Sequence, residues 1–423
     1  MRKKMNYTEA LQFIHSVTWM GSRPGLSRIT ELCRRMGNPE KGLRCIHIAG
    51  TNGKGSTAAY LTAVLRAAGY RVGTFTSPYV RTFNERIAID GRPVSNYLLT
   101  KAVEAAKPHA EAMEDRPTEF ELITAVGFEV FRRKKVDVVV LEVGLGGRYD
   151  STNVIEAPLC SVITGIALDH VQILGNTLAE IAGEKAGIIK HGCPTVTARL
   201  APEAEAVIAA EAAAQHSPRT VVDPDRITVH SDTVRGIAFD YKERKGIRTA
   251  LIGGYQPRNI ALVCETVEVL RAQGLAISEE AIYRGIAEAR WPARFELLQK
   301  EPPVVFDGGH NEEGVRAAVE TAKRVFGGKV VILTGVMADK AYDTMVGLIA
   351  PIAAEVFTLR PDNPRAMAAD GLAAVYAAHG VKATPSDTVA SALRKARKRA
   401  AALGLPLLIL GSLYLYKDIY KHF

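Results

Sequence analysis

The stretch Arg44-Cys45-Ile46-His47-Ile48-Ala49-Gly50-Thr51-Asn52-Gly53-Lys54-Gly55-Ser56-Thr57 runs an apolar segment into a glycine-rich turn and then into a helical pattern. Residues 44–49 are short, apolar and partly β-branched, as a buried strand requires, and 56–68 carry helical spacing. A glycine-rich turn in that context is the setting of a phosphate-binding loop. Glycines let backbone N–H groups approach phosphate oxygens, and the helix N-terminus adds partial positive charge. Asn52, Gly53, Lys54, Gly55, Ser56 and Thr57 are therefore the candidate nucleotide-binding residues. Lys54 can reach the β- and γ-phosphates, and Ser56 or Thr57 can face Mg2+. The spacing departs from the common Walker A form, because two residues rather than four separate Gly50 from Gly53-Lys54, and Gly55 precedes the hydroxyls. That departure argues against ordinary P-loop kinases and GTPases.

Outward from this turn the alternation continues. Residues 71–75 read as a strand, 119–133 as a helix, 136–143 (VDVVVLEV) as a strand buried on both faces, and 161–166 and 195–197 as further strands. This rhythm implies a parallel, doubly covered sheet. Residues 221–251 differ: runs such as ITVHSD and GIAFDY suggest a small antiparallel patch. Past Arg290-Trp291-Pro292-Ala293-Arg294 the pattern restarts, with strands at 304–306, 330–333, 355–359 and 407–410 and a helix at 312–325. The expected fold class is α/β. A P-loop-type parallel-sheet domain spans 1–294, and a smaller Rossmann-like α/β domain spans 295–423.

A chain of 423 residues suits two or three domains. Its 47% hydrophobic and 23% charged residues fit ordinary globular protein and exclude disorder as the main state. No apolar run reaches the roughly 18 residues of a membrane span. The opening MRKKMNYTEALQFIHSV has a basic start but no clean apolar core, so it reads as an amphipathic helix and not as a signal peptide. Cys33, Cys45, Cys160, Cys193 and Cys264 are dispersed without a CxxC pair, which argues for reduced thiols in a cytoplasmic protein. The net charge of +9 suits any polyanionic ligand as well as nucleic acid. The one dense basic run, residues 394–399, has no interleaved aromatics and reads as a solvated helix face. The expectation is small-molecule substrates, no nucleic acid, no membrane, and nothing that demands more than a monomer.

Two further motifs carry chemistry. The apolar strand ends in Leu141-Glu142-Val143-Gly144-Leu145-Gly146-Gly147-Arg148-Tyr149-Asp150. A carboxylate at the C-terminal end of a parallel strand faces the ligand crevice, and Mg2+ prefers such oxygen donors. Glu142 is the candidate. Asp169-His170 follows another expected strand, and Lys185 sits among small residues in Ala182-Gly183-Glu184-Lys185-Ala186-Gly187. Alone, these read as a capping Asp beside a surface His, and as a solvated lysine. Beside the phosphate loop and Glu142 both gain weight.

The motifs TNGKGS, TSPYVRTFNERI, LEVGLGGRYDSTN, DHVQILG, EKAGI, GGYQPRN, WPARFE, FDGGHN and GSLYLY occur in an order that resembles the folylpolyglutamate synthase/dihydrofolate synthase family of the Mur ligase superfamily. The resemblance covers essentially the whole chain. It implies a Mur-ligase central-type domain, a C-terminal glutamate-ligase domain, and ATP-dependent joining of L-glutamate to dihydropteroate or a reduced folate through an acyl phosphate. It implies ATP contacts from the loop, Asn259, Arg294 and Asp307. It also implies two Mg2+ ions held by Ser77, Glu142, His170 and a carbamylated Lys185. Lys54, Lys185, His170, Arg294 and His310 would be catalytic. The pterin pocket would draw on Gly25, Ser27, Arg28, Phe120, Glu121, Tyr149, Asp150 and Ser151, although Phe120 reads equally as core and Ser27 as a helix cap. Two departures stand out: Asp307-Gly308-Gly309-His310-Asn311-Glu312 replaces DGAHNP, and Tyr255 replaces a common histidine. A glycine at 309 is expected to loosen that turn, and loss of proline to remove a pre-set helix start. The alternatives are a peptidoglycan-type Mur ligase and a non-catalytic ATP-binding regulator.

Overall fold

The computed structural model describes residues 4–16 and 25–423. The chain forms two compact units, Met1–Asp225 with Arg258–Glu288, and Arg226–Pro257 with Ala289–Phe423. The division in the C-terminal half thus falls between 288 and 289, and the segment 226–257 groups with the second unit, where the sequence pattern put both within the first domain.

The first unit is built on eight strands: β1 Cys45–Ala49, β2 Val72–Phe75, β3 Ile87–Ile89, β4 Arg92–Pro93, β5 Val138–Glu142, β6 Cys160–Ile163, β7 Thr195–Thr197 and β8 Arg219–Val221. They lie in the order β4-β3-β2-β5-β1-β6-β7-β8. The β2 to β8 portion is parallel, and β3 and β4 add an antiparallel edge. Every residue of β1 and β5 is buried, which explains their unbroken apolar composition. Val139 and Leu141 join one core with Leu99, Val103, Val126 and Val130, from the helices Asn96–Glu111 and Glu119–Lys134. The helix Lys54–Ala67 packs on β1, β2 and β5. Register decides what meets at the carboxyl ends. Ile48 pairs with Glu142, Ala49 with Ile163, and Phe75 with Leu141. The turns after β1, β2, β5 and β6 therefore open on one edge, where ligands of such sheets bind.

The second unit holds the antiparallel β9 Ile227–Thr233, β10 Gly236–Tyr241 and β11 Arg244–Thr249. It also holds a six-stranded sheet of β12 Glu296–Gln299, β13 Val304–Phe306, β14 Val330–Thr334, β15 Ala353–Leu359, β16 Ala383–Ser386 and β17 Leu407–Leu410, in the order β12-β13-β17-β14-β15-β16. Only β12 runs antiparallel. Strands β3, β4, β8, β12 and β16 were not anticipated. They are short, and β4, β8, β12 and β16 lie at sheet edges, where partial solvation leaves no apolar run to read. All five cysteines are free thiols. Among the described residues no helix is long and apolar enough to cross a membrane.

Candidate functional site

The phosphate loop is held in shape by its neighbours in the first unit. Thr51 N–H donates to the Gly165 carbonyl at 2.7 Å, and Thr164 Oγ1 donates to the Asn52 carbonyl at 2.7 Å. Gly50 has φ +147, and a Cβ there would lie 1.8 Å from Thr164 Oγ1, so only glycine permits this approach. Gly53, at φ 91, caps the helix Lys54–Ala67. A Cβ on it would come within 2.8 Å of Asn259 Oδ1, so the asparagine carboxamide lies against the loop. Lys54 Nζ arches back to the carbonyls of Gly50 and Thr51, at 2.9 and 3.2 Å. Ser56 and Thr57 are buried at the helix start, and Thr57 Oγ1 has no hydrogen-bond partner among the described residues. A phosphate-bound cation would satisfy a hydroxyl so placed.

Glu142, 3% exposed at the end of β5, accepts from Ser77 N–H at 3.2 Å. Their hydroxyl and carboxylate oxygens are hard donors and suit Mg2+. His170 stands at φ 50 on the loop after β6, half-exposed, with Nε2 4.0 Å from Asp169 Oδ2. Among the described residues no three His, Cys, Asp or Glu side chains gather for a metal.

The glycines after Glu142 have a packing reason. A Cβ on Gly147 would lie 2.7 Å from the Glu184 carbonyl and 3.0 Å from Lys185 Cα, so the turn and the helix Leu178–Ala186 touch through backbone. Arg148 N–H donates to the Glu184 carbonyl at 2.7 Å. Asn153 Nδ2 ties the carbonyls of Arg148 and Gly187 at 2.9 and 3.0 Å. Lys185 is thereby buried, at 3% exposure, and not the solvated charge its residue type suggests. Burial pulls its ammonium down to about 7; the Lys54 cation pushes the same way, and Asp169, Glu184 and Asp150 oppose. An amine near neutrality is half unprotonated and nucleophilic at pH 7. Asp169 is thus an electrostatic neighbour of Lys185.

The second unit carries its own constellation. Arg294 lies between Ala293 at φ 58 and Phe295 at φ 42, left-handed positions that cost about 1–3 kcal/mol each and cluster at functional sites. Asp307 holds this backbone: its Oδ2 accepts from Phe295 N–H at 2.8 Å and its Oδ1 from Gly309 N–H at 2.7 Å. Burial raises the Asp307 carboxyl, opposed by the Arg294 charge, by these two N–H groups and by the Tyr255 hydroxyl. Tyr255 therefore supports Asp307, a partnership no local pattern announces. Gly309 does not loosen its turn. A Cβ there would meet Asp307 Oδ1 and the Gly314 backbone at 2.9 Å, so glycine permits a tight packing. Nor is the helix start lost with the proline, since Asn311 caps the helix Glu312–Phe326 by accepting from Gly314 N–H at 2.8 Å. His310 Nδ1 lies 2.9 Å from the Gly308 carbonyl; a carbonyl only accepts, so Nδ1 carries the proton.

The candidate pterin residues separate into two groups. Tyr149 is exposed and Phe120 half-buried, its ring lying against Gly144 and 6.0 Å from Phe75. Ser27 is exposed and opens the helix Ser27–Arg35, with Leu26 and not Ser27 at the cap. Gly25 precedes it at φ 131. By contrast Arg28 and Glu121 are buried and bound to each other through two contacts of 3.0 Å, and Glu121 also completes a capping box with Thr118. Asp150 and Ser151 are buried too, and both Asp150 oxygens are taken up by the Gly144–Thr152 turn.

Residues 48–267 match the Mur ligase middle domain, and residues 293–413 match the Mur ligase, glutamate ligase domain. A dihydrofolate synthase/folylpolyglutamate synthase of Bacillus subtilis (strain 168) is 43% identical over 98% of both chains. A Mycobacterium tuberculosis folylpolyglutamate synthase solved with ADP and AMPPCP superposes with a TM-score of 0.89 at 29% identity, over 99% of each chain. A solved FPGS–AMPPCP–folate complex does so with a TM-score of 0.86 at 35% identity, again over 99% of each chain.

Proposed function

The chain belongs to the folylpolyglutamate synthase/dihydrofolate synthase family of Mur ligases, and from that premise we propose how its residues carry out ATP-dependent ligation of glutamate to a folate-type carboxylate. The reaction class follows from the family. The assignment of residues rests on one observation above all: the phosphate loop and Glu142 with Ser77 lie at the carboxyl edge of one sheet, and the turn that follows Glu142 packs against the helix that buries Lys185.

The Gly53–Thr57 backbone and Lys54 bind the β- and γ-phosphates of ATP. Ser77 and Glu142 would hold one Mg2+, and His170 with Lys185 would hold a second. Mg2+ bound there would supply charge neutralisation on the transferring phosphoryl group, which is where phosphoryl transfer gains most of its rate. Lys185 takes part as a carbamate: its neutral amine attacks CO2, a proton leaves the nitrogen, and the side chain becomes an oxygen-donor anion. The folate carboxylate oxygen bonds to the γ-phosphorus and ADP leaves. The amine of L-glutamate then attacks the acyl carbon, phosphate leaves, and the nitrogen loses a proton to give the amide. Asn259, Arg294 and Asp307 are assigned ATP contacts, and His310 an auxiliary catalytic role, on the family likeness. Phe120 and Tyr149 are assigned to face the pterin on the family likeness. Gly25, Ser27, Arg28, Glu121, Asp150 and Ser151 are assigned as that pocket's frame.

The deciding experiment is phosphate release from ATP with Mg2+ and L-glutamate, comparing dihydropteroate, tetrahydrofolate and no acceptor. Release that needs both glutamate and a pterin is expected, and the preferred acceptor distinguishes the two activities. Glu142→Ala is expected to lower turnover by about 10²–10³-fold or more while the circular dichroism spectrum stays native. Undiminished turnover in that variant would sink the metal assignment.

A further inference from the structure

His47 lies in the middle of β1, wholly buried and paired across the sheet with Leu141. Its Nε2 is 2.8 Å from Thr152 Oγ1. Thr152 Oγ1 in turn donates to Asp150 Oδ1 at 2.5 Å, and the Thr152 N–H reaches the same oxygen at 3.0 Å. A hydroxyl has one proton. Thr152 spends it on the carboxylate, so toward His47 it accepts, and the imidazole must carry its proton on Nε2. Nδ1 is then a bare acceptor, and it has no partner among the described residues. Burial, with the Lys190 charge acting the same way, pushes the imidazole down to about 3 and keeps it neutral.

For stability alone this is a poor arrangement. A buried acceptor without a donor costs free energy, and an aliphatic side chain on this apolar strand would avoid it. What the imidazole contributes is the donor at the head of a string. Asp150 Oδ2, at the other end, accepts from Gly144 N–H at 3.0 Å and Leu145 N–H at 2.9 Å. Those two amides belong to the turn that leaves Glu142, and the same turn packs Gly147 against the Lys185 backbone.

We propose that His47 is a positioning residue of the ligase site, acting through Thr152 and Asp150 to hold the turn that sets Glu142 and Lys185. The proposal rests on the roles assigned above to those two residues. His47 touches neither substrate nor metal. It fixes the orientation of Thr152, which fixes the Asp150 carboxylate, whose two backbone donors define the path of the turn. Asn153 ties the turn to the helix Leu178–Ala186 by separate bonds, so that helix stays docked when the string is cut.

His47→Leu removes the donor and the orphaned acceptor together, and Thr152→Val breaks the next link without changing shape. In His47→Leu the melting temperature is expected to hold or rise, while kcat falls about 10–100-fold, the usual cost of losing a group that orients a ligand from behind. Deuterium uptake over residues 143–150 should quicken, with the helix Lys54–Ala67 unchanged. His47→Gln, which keeps an N–H donor, should recover part of kcat. The double variant should be no slower than Thr152→Val alone, because both cut one string. Unaltered kcat in His47→Leu, uptake over 143–150 that does not change, or losses that add in the double variant would each overturn the proposal. Full turnover in Glu142→Ala would instead fault the site assignment, and the uptake measurement would still report whether the string holds the turn.

Discussion

Lys185 shows how one side chain changes meaning with its surroundings. In water a lysine titrates near 10.4, and at pH 7 almost none of it can attack CO2. Burial brings the folded value to about 7. The neutral amine is therefore present above about pH 7 and is lost as the pH falls through it, with about a tenth left one unit lower. The carbamate signal from 13C-bicarbonate and the turnover are expected to decline together between about pH 8 and pH 6, and added bicarbonate should recover both in part. A turnover profile flat across that range would separate the reaction from this amine. The same shift has a stability sign. Between about 7 and 10.4 the unfolded chain binds a proton that the folded chain does not, so stability rises with pH there. In CO2-free buffer, Lys185→Met should flatten that slope in urea melts.

At the scale of elements, glycine contacts and one buried ion pair decide how helices meet the sheet edge. Gly147→Ala would drive a methyl into the Glu184 carbonyl and the Lys185 backbone. The helix must shift, and misplacement of about 1 Å can cost 10²-fold in rate. A loss of that order in kcat is expected, with a smaller effect on the melting temperature. The Arg28–Glu121 pair joins the helix Ser27–Arg35 to the first turn of Glu119–Lys134. Truncating one partner leaves a buried charge alone, so Arg28→Ala should cost about 3–5 kcal/mol in denaturant unfolding. A raised KM for the folate with full stability would show instead that Arg28 serves the ligand directly.

At the scale of the molecule, the formal charge of +9 suits any polyanionic ligand. Within the basic run, Arg399 binds Glu355 at 2.6 Å, and Arg397 stacks over the Phe423 ring at 5.1 Å. Glu355 also takes Lys382 at 3.0 Å. Arg397 and Arg399 are thus engaged by neighbours inside the second unit. Phosphate release is expected to be indifferent to added DNA or RNA, and light scattering to give a monomer of 45.7 kDa. Stimulation by either polymer would contradict the small-molecule assignment.

The phosphate loop, the strand that delivers Glu142 and the helix that carries Lys185 are legible because each is local. A glycine-rich turn between a strand and a helix, or an apolar run ending in a carboxylate, states its purpose within about ten residues. Edge strands such as β4 and β16 are not legible, because half-solvated strands need no apolar pattern. Nor are partnerships made by register and packing. That Ile48 lies beside Glu142, that Tyr255 supports Asp307, and that Gly309 tightens its turn depend on residues brought together from distant parts of the chain. The sequence by itself determined which chemical groups this ligase possesses and which short segments present them. Only the tertiary structure decided their states: Lys185 poised near neutrality, Asp150 consumed by its own turn, and His47 held to one tautomer. Protonation and hydrogen-bond direction follow from burial and from non-local neighbours, and no linear pattern encodes either.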